Sequence, residues 1–160
     1  MIYGIVAIEK NQGIGFNGQM PWPRLPGDMR WFKEQTLDQI IIMGRKTWES
    51  IGSKCLPDRI NLVLSRNRIE GCHTSSNNPT WLLDYCKIFY PYKKIYIIGG
   101  SEIYNIYQNN IETFYITEID VSYDCDKFFD LNNIQKNFTF VKEHAKFNDP
   151  IPYTIKEYKK

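Results

Sequence analysis

The sequence lacks the signatures of several large protein classes. Its four cysteines are scattered and include no C-x-x-C pair: Cys55, Cys72, Cys86 and Cys125. With only two histidines beside them, we expect no metal site. The absence of G-x-S-x-G with a histidine partner disfavours a serine or cysteine hydrolase. The Gly99-Gly100 pair between a predicted strand and helix is not the G-x-G-x-x-G fingerprint, so an ordinary Rossmann dehydrogenase is not supported.

Charge runs and long apolar runs are also missing. The 160 residues carry a formal net charge of +2, and no basic run is interleaved with aromatic residues, so we predict no nucleic-acid binding. No apolar segment reaches membrane length, and no basic leader precedes the first apolar run. We therefore expect a single domain over residues 1–160 that works in the cytoplasm, with reduced thiols and no membrane contact.

Short apolar runs rich in Ile, Val and Tyr alternate with segments suited to helices. Strands are predicted at Ile2–Ile8, Ile40–Met43, Ile60–Leu64, Ile95–Ile98, Phe114–Ile119, Phe138–Glu143 and Tyr153–Tyr158. Helices are predicted at Asp28–Thr36, Arg45–Ile51, Pro79–Phe89 and Ser101–Tyr107. The first four strands are nearly continuous in hydrophobicity, as in central strands, whereas the last two alternate. The pattern predicts an α/β fold whose central, mostly parallel twisted sheet has an antiparallel C-terminal edge and about four flanking helices.

Asp28 stands at the start of the first predicted helix, after a stretch with three prolines and a glycine. It shares the i, i+3, i+4, i+7 face of that helix with Trp31, Phe32 and Gln35. One interpretation is an N-cap, in which the carboxylate accepts from free backbone N–H groups. The other is a carboxylate in an apolar cleft, where desolvation raises its pKa for a ligand that offers N–H donors or a proton. The two interpretations are compatible.

Three predicted strands end in residues that suit anions. Gly44-Arg45-Lys46-Thr47, Ser65-Arg66 and Gly99-Gly100-Ser101-Glu102 follow the second, third and fourth strands. Ligands of open α/β sheets collect at such ends, where free N–H groups, hydroxyls and guanidinium groups bind phosphate. Two cations at the start of a helix are unfavourable, because the helix dipole is positive at that end. Their presence therefore suggests that an anion binds there. Each turn alone could be an ordinary solvated turn, but together they predict a ligand with several phosphates, such as a dinucleotide with a 2′-phosphate.

A glycine-rich segment precedes the Asp28 region. Residues 11–18 contain three glycines and two asparagines and lead directly into Met20-Pro21-Trp22. Such a segment beside a reactive site is a candidate lid, although an ordinary surface loop has the same composition. The sequence leaves both interpretations open.

In this order and at these separations, several segments resemble those of the dihydrofolate reductase family. They are Ile5-Val6-Ala7, Ile14-Gly15, Met20-Pro21-Trp22, Leu25 to Phe32, Ile42 to Gly52, Leu56 to Arg59, Leu64-Ser65-Arg66 and Ile98 to Tyr104. The resemblance covers nearly the whole chain. It implies NADPH-dependent reduction of 7,8-dihydrofolate to 5,6,7,8-tetrahydrofolate, by hydride transfer to C6 of the pterin and protonation of N5. It further implies a monomer that serves one-carbon metabolism and thymidylate synthesis and binds antifolate inhibitors.

The resemblance also implies roles for individual residues. The implied catalytic set is Asp28, which pairs with the pterin amino group and ring nitrogen, with Thr117, Met20, Trp22 and Tyr104. The other implied substrate contacts are Ile5, Val6, Met29, Phe32, Ile51, Leu56, Arg59 and Ile98, among which Arg59 binds the glutamate α-carboxylate and the Ile5 and Ile98 carbonyls accept from the pterin amino group. The implied NADPH contacts are Ala7, Ile14, Gly15, Asn17, Gly18, Met20, Gly44, Arg45, Lys46, Thr47, Leu64, Ser65, Arg66, Gly99, Gly100, Ser101, Glu102 and Ile103, with Tyr104 near the nicotinamide ring.

Two alternatives stay open beside this interpretation. One is a reductase of the same fold that acts on a pyrimidine intermediate of riboflavin synthesis, which has no need of Asp28 or Arg59. The other is a binding module that kept the dinucleotide cleft without turnover. In the acidic stretch 120–126, Asp126 matches the family position that bonds the lid, although a solvated acidic turn explains it equally well.

Overall fold

The central element of the computed structural model, which describes all of residues 1–160, is an eight-stranded sheet. The strands of the chain are β1 Ile2–Ile8, β2 Gly13–Gly15, β3 Ile40–Gly44, β4 Ile60–Leu64, β5 Thr74–Ser76, β6 Ile95–Ile97, β7 Thr113–Ile119, β8 Lys127–Phe128, β9 Thr139–Phe147 and β10 Tyr153–Lys159. The helices are α1 Pro26–Thr36, α2 Arg45–Ser50, α3 Pro79–Phe89, α4 Ser101–Tyr107 and α5 Leu131–Asn137. None of these helices combines the length and the apolar character needed to cross a membrane.

The strands of the large sheet are ordered β5-β4-β3-β6-β1-β7-β10-β9, and β2 pairs separately with β8. Neighbours from β5 to β7 run parallel, whereas β10 is antiparallel to both β7 and β9. The predicted α/β fold, with a mostly parallel sheet and an antiparallel C-terminal edge, is therefore confirmed.

The central strands are buried on both faces, as their continuous hydrophobicity predicts. Residues 40–43 of β3 have no solvent exposure at all. Successive β1 residues divide between the faces: Val6 and Ile8 belong to one core cluster, whereas Ile5 belongs to the cluster against which Trp31 and Phe32 of α1 pack. This alternation decides which β1 side chains face the α1 side of the sheet.

Three details of the predicted pattern are wrong. The first helix begins at Pro26 rather than Asp28. Proline is tolerated there because the backbone N–H that it lacks would have no partner in the first helical turn. A fifth helix, α5, is present; the Asp130 side chain caps it by accepting from the Asn133 N–H at 3.0 Å. Finally, β9 does not alternate, since residues 139–143 are all exposed on a strand with a neighbour on one side only.

Candidate active site

Asp28 lies in the first turn of α1, and its carboxylate contacts β7. The residue that precedes the helix is Leu25, so the N-cap interpretation of Asp28 is wrong. Thr117, which is 3% exposed, donates its hydroxyl proton to Asp28 Oδ1 at 2.5 Å. Burial raises the pKa of the Asp28 carboxyl, and the Thr117 hydrogen bond offsets part of this effect by favouring the charged form. The carboxyl therefore holds a proton at higher pH than a solvated aspartate.

The first turn of α1 approaches the sheet closely because residue 27 is a glycine. The Gly27 N–H donates to the Tyr153 hydroxyl at 2.9 Å. A Cβ atom at Gly27 would lie 2.6 Å from the Phe147 ring and 2.7 Å from the Tyr153 hydroxyl. Any larger residue here would move the turn away from the sheet, and Asp28 away from Thr117.

Asp28→Asn should raise the stability of the fold at neutral pH. The pKa of Asp28 is raised on folding, so ionised Asp28 costs free energy at every pH above the folded pKa. This cost shrinks as pH falls through the folded pKa and is gone below the ordinary value of 3.8. Urea unfolding between about pH 8 and pH 4 tests this, since the advantage of the variant should diminish towards low pH. An advantage that grows as pH falls would contradict the buried-carboxyl interpretation.

Four of the predicted substrate contacts form one apolar wall. Phe32, Ile51, Leu56 and Ile98 all pack, half-buried, against the core cluster that contains Ile5. Two other predicted contacts stand apart from this wall. Met29 is 45% exposed and lies outside this cluster. The Val6 side chain packs into the core on the opposite face, so only the backbone of residue 6 is available to this side of the sheet.

Arg59 is held in a defined orientation beside that wall. Its Nε donates to the Pro57 carbonyl at 2.8 Å, and its Nη1 donates to the Thr36 hydroxyl at 3.3 Å. Its Nη2 group makes no hydrogen bond within the protein. Because the residue is only 9% exposed, the guanidinium is fixed before any ligand arrives. A fixed guanidinium with a free N–H₂ group suits a carboxylate.

Tyr104 is built into the core. Its hydroxyl donates to the Ile5 carbonyl at 2.6 Å, and the residue is 5% exposed. Burial raises the pKa of the Tyr104 hydroxyl, so this group stays neutral. The contact ties α4 to β1 and fixes the Ile5 carbonyl, which keeps one lone pair for a further donor.

The three turns predicted to bind anions are neighbours, because β4, β3 and β6 are adjacent strands. The Gly44 N–H donates to the Gly99 carbonyl at 2.9 Å, which joins two of these turns directly. Gly99 has a φ of +124°, and a Cβ atom at this position would lie 3.3 Å from the Tyr104 hydroxyl. The backbone of this turn thus depends on glycine.

The cations at these turns are not equivalent. Lys46 and Arg66 are exposed and form no ion pair. Arg45 Nη1 instead lies 2.6 Å from Glu49 Oε1, one helical turn away. Arg45 therefore already has a negative partner within the protein, whereas Lys46 has none.

The glycine-rich segment is partly a strand. Gly13–Gly15 forms β2 and pairs with β8, so the prediction of a continuous loop over residues 11–18 is wrong. Beyond β2, the Asn17 N–H donates to Asp126 Oδ2 at 3.0 Å, which is the hydrogen bond predicted between the lid segment and the acidic stretch. Trp22 follows, 8% exposed and packed with Leu25, whereas Met20 is 65% exposed.

Glu9 is a buried residue whose role the sequence reasoning missed. Its Oε1 atom accepts from the N–H groups of Asn11 and Gly13, each at 2.8 Å. Its Oε2 atom accepts from the Tyr123 N–H at 3.1 Å, and the residue is 2% exposed. One carboxylate thus holds the start of the glycine-rich segment and joins it to the acidic stretch. A glutamate directly after an apolar strand is the one signal in the sequence that could have indicated this.

The Glu9→Gln substitution should remove the hydrogen bond to Tyr123 in the acidic stretch and keep those to Asn11 and Gly13. A glutamine oxygen still accepts from Asn11 and Gly13, but its NH₂ group then faces the Tyr123 N–H, donor against donor. We expect a loss of about 1–3 kcal/mol in the free energy of unfolding, as for a buried donor left unpaired. Urea unfolding measures this loss, and faster hydrogen exchange at the Tyr123 amide locates it. The exposed Glu143→Gln is the control; equal behaviour of the two variants would refute the role of Glu9.

A desolvated carboxyl beside a row of phosphate-suited turns along one edge of the sheet is typical of an α/β enzyme that binds a phosphorylated ligand. The sequence model of the family described as Dihydrofolate reductase matches residues 1–160. The chain belongs to the dihydrofolate reductase family, whose members are oxidoreductases that use a nicotinamide cofactor.

Individual relatives agree with this assignment. The chain is similar to a dihydrofolate reductase of Buchnera aphidicola subsp. Acyrthosiphon pisum, with 42% identity over 132 residues that cover 78% of this chain and 76% of the relative. It is 32% identical over 170 residues to the dihydrofolate reductase of Lactococcus lactis subsp. lactis, covering 100% and 98% of the two chains. The dihydrofolate reductase of Rattus norvegicus is 34% identical over 149 residues, covering 82% and 80%.

Proposed function

We propose that this chain reduces 7,8-dihydrofolate to 5,6,7,8-tetrahydrofolate, with NADPH as the reductant. The observation that carries the proposal is the partly buried Asp28 carboxyl held by Thr117. Thr117 occupies one lone pair of Oδ1, and no other group of the protein bonds the carboxylate. The remaining lone pairs match the two adjacent N–H donors of the pterin, its amino group and a ring nitrogen.

The wall beside Asp28 supports the rest of the substrate. Phe32, Ile51 and Leu56 offer an apolar surface for the aminobenzoyl ring, and the fixed Arg59 suits the glutamate α-carboxylate. In this proposal the Ile5 and Ile98 carbonyls accept from the pterin amino group. A diaminopyrimidine antifolate offers the same pair of N–H donors and should compete for Asp28.

The residues at the strand ends fit NADPH. Lys46 and Arg66 lack ion-pair partners, and the Gly44 and Gly99 turns join through backbone without side chains between them. We propose that Lys46 and Thr47 bind the pyrophosphate, and that Ser65 and Arg66 bind the 2′-phosphate. The other proposed contacts are Ala7, Ile14, Gly15, Asn17, Gly18 and Met20 towards the nicotinamide, and Arg45, Leu64, Gly100, Ser101, Glu102 and Ile103 along the strand ends. When bound, NADPH supplies the hydride for C6 of the pterin.

Asp28 serves the proton side of the reaction in this proposal. Its carboxylate polarises the pterin, and its raised pKa lets the pair share a proton at higher pH than a solvated aspartate could. A water delivers the proton to N5. Exposed Met20 and buried Trp22 shape the access of that water to the cleft. Thr117 holds the carboxyl in place throughout.

We further propose that the chain works as a cytoplasmic monomer that supplies tetrahydrofolate to one-carbon metabolism and thymidylate synthesis. Two observations support this. The proposed site is complete within one chain and so needs no second copy, and all four cysteines are free thiols, as in a reducing compartment. Size-exclusion chromatography tests the monomer, which an elution volume of a dimer would overturn.

The test of the proposed function is NADPH oxidation, followed by absorbance with and without 7,8-dihydrofolate. We expect loss of signal only with both present, and its block by a diaminopyrimidine antifolate. NADPH binding without turnover of dihydrofolate would overturn the proposal. Reduction of a pyrimidine intermediate of riboflavin synthesis would then identify the alternative reductase, and no turnover of either substrate would favour a non-catalytic module.

A further inference from the structure

Asn61 is the only polar side chain in β4 and has no solvent exposure. Its Oδ1 atom accepts from the Leu56 N–H at 2.9 Å, and its Nδ2 atom donates to the carbonyls of Leu56 and Arg59, each at 3.0 Å. Both amide protons are therefore used, and both are used on the same short segment. An apolar residue would pack equally well in a central strand, so the amide must serve that segment.

The segment that Asn61 holds, residues 56–59, carries two side chains of the proposed substrate site. Leu56 belongs to the apolar wall, and Arg59 presents its free Nη2 group. Between them, Asp58 has a φ of +60°, a conformation that residues other than glycine rarely adopt. The Asn61 amide bonds this turn at both ends and so helps to hold it in that conformation.

The backbone of Asn61 is itself anchored. Its N–H donates to His73 Nδ1 at 3.0 Å, and its carbonyl accepts from the His73 N–H at 3.0 Å. Both neighbours of β4 in the sheet, β3 and β5, fix the strand further. The Asn61 amide therefore has a fixed position relative to the sheet, and it holds residues 56–59 in place.

We propose that Asn61 is a positioning residue for recognition of the glutamate part of the substrate. The inference rests on the proposed function and adds a residue that touches no substrate itself. By fixing the carbonyls of Leu56 and Arg59, Asn61 sets the direction in which the Arg59 guanidinium leaves the backbone. Its loss should therefore weaken binding of the substrate carboxylate and leave hydride transfer unchanged.

The test compares two substrates in Asn61→Leu, which keeps the branched shape and the number of heavy atoms of the side chain and removes all three hydrogen bonds. One substrate is 7,8-dihydrofolate, and the other is 7,8-dihydropteroate, which has the same pterin and aminobenzoyl groups without the glutamate. We expect the ratio of their kcat/KM values to fall about tenfold, as for the loss of one charge-assisted contact. This fall should come from a higher KM for dihydrofolate, with kcat unchanged.

Three further variants separate positioning from simple damage to the fold. Leu82→Ala removes a fully buried side chain of α3 and lowers the melting temperature, but should leave the substrate ratio unchanged. Asn61→Ser retains a smaller hydrogen-bonding group if the leucine variant does not fold, and should shift the ratio in the same direction. In an Arg59→Ala background, Asn61→Leu should no longer change the ratio.

The outcomes distinguish this inference from the proposed function. If the unmodified chain reduces dihydrofolate while the folded Asn61 variants keep its substrate ratio, the positioning role is overturned and the function stands. A ratio that still falls in the Arg59→Ala background would also overturn it, since Asn61 would then act by another route. If the unmodified chain reduces neither substrate, the proposed function fails and this inference fails with it.

Discussion

Asp28→Asn should lower the hydride-transfer rate at neutral pH by roughly 10²–10⁴, the usual effect of removing a positioned acid–base group. Asparagine keeps the size of the side chain, and its oxygen still accepts from Thr117. Its NH₂ group, however, meets the pterin donors with another donor and carries no charge to polarise the ring. Single-turnover oxidation of bound NADPH measures the rate without interference from product release.

The cofactor affinity and turnover of Asp28→Asn distinguish an effect on the chemical step from an effect on binding. Cofactor affinity should change little, because Asp28 lies on α1 and not at the phosphate-suited strand ends. Glu34→Gln, an exposed carboxylate on the same helix, is the matched control and should retain the full rate. Normal turnover in Asp28→Asn would remove Asp28 from the mechanism. As the proposal needs a proton near the pterin, the rate of the unmodified chain should fall as pH rises above the pKa of Asp28.

Arg66→Ala should weaken NADPH binding roughly 10- to 100-fold, while NADH binding changes little. The only difference between these ligands is the 2′-phosphate, which NADPH carries and NADH lacks. Arg66 is exposed and has no ion-pair partner, so its charge is available to that phosphate. Dissociation constants from fluorescence titration at fixed ionic strength provide the measurement.

Arg68→Ala is the matched control for Arg66. Arg68 lies two residues further along the chain, is also exposed, and is 3.5 Å from Glu70. Its removal should affect NADPH and NADH equally and slightly, since it lowers only the general positive potential. An equal loss of affinity for NADPH and NADH in Arg66→Ala would mean that Arg66 does not bind the 2′-phosphate.

Most of the fold could be predicted because its central strands are defined by their own side chains. Residues 40–43 are all large and apolar, and they form a fully buried strand. The polar strand β5, Thr74–Ser76, has no such signature, because it is defined only by backbone pairing with β4. The Asn-rich helix α5 was missed for a similar reason, since only packing of Leu131 and Ile134 reveals it.

The candidate site shows the same limit. Helical spacing alone predicts that Asp28 shares a helix face with Trp31 and Phe32, and the i,i+4 spacing of Arg45 and Glu49 favours the ion pair that they form. Glu9 and Asn61 are different, because partners distant in sequence or backbone groups of a turn bury and satisfy them. A polar residue in or directly after an apolar strand is the only local signal that either gives, and it does not identify the partners.

The position of β1 in the middle of the sheet also has a consequence for biosynthesis. Its neighbours are β6 and β7, so that Ile2 pairs with Ile95 and Ile8 with Glu118. A ribosome therefore completes β1 long before either neighbour exists; both of its edges stay unpaired until β6 emerges, and one of them until β7 emerges. In that interval the nascent chain exposes an apolar, incompletely paired strand, and slow translation before residue 118 should increase aggregation.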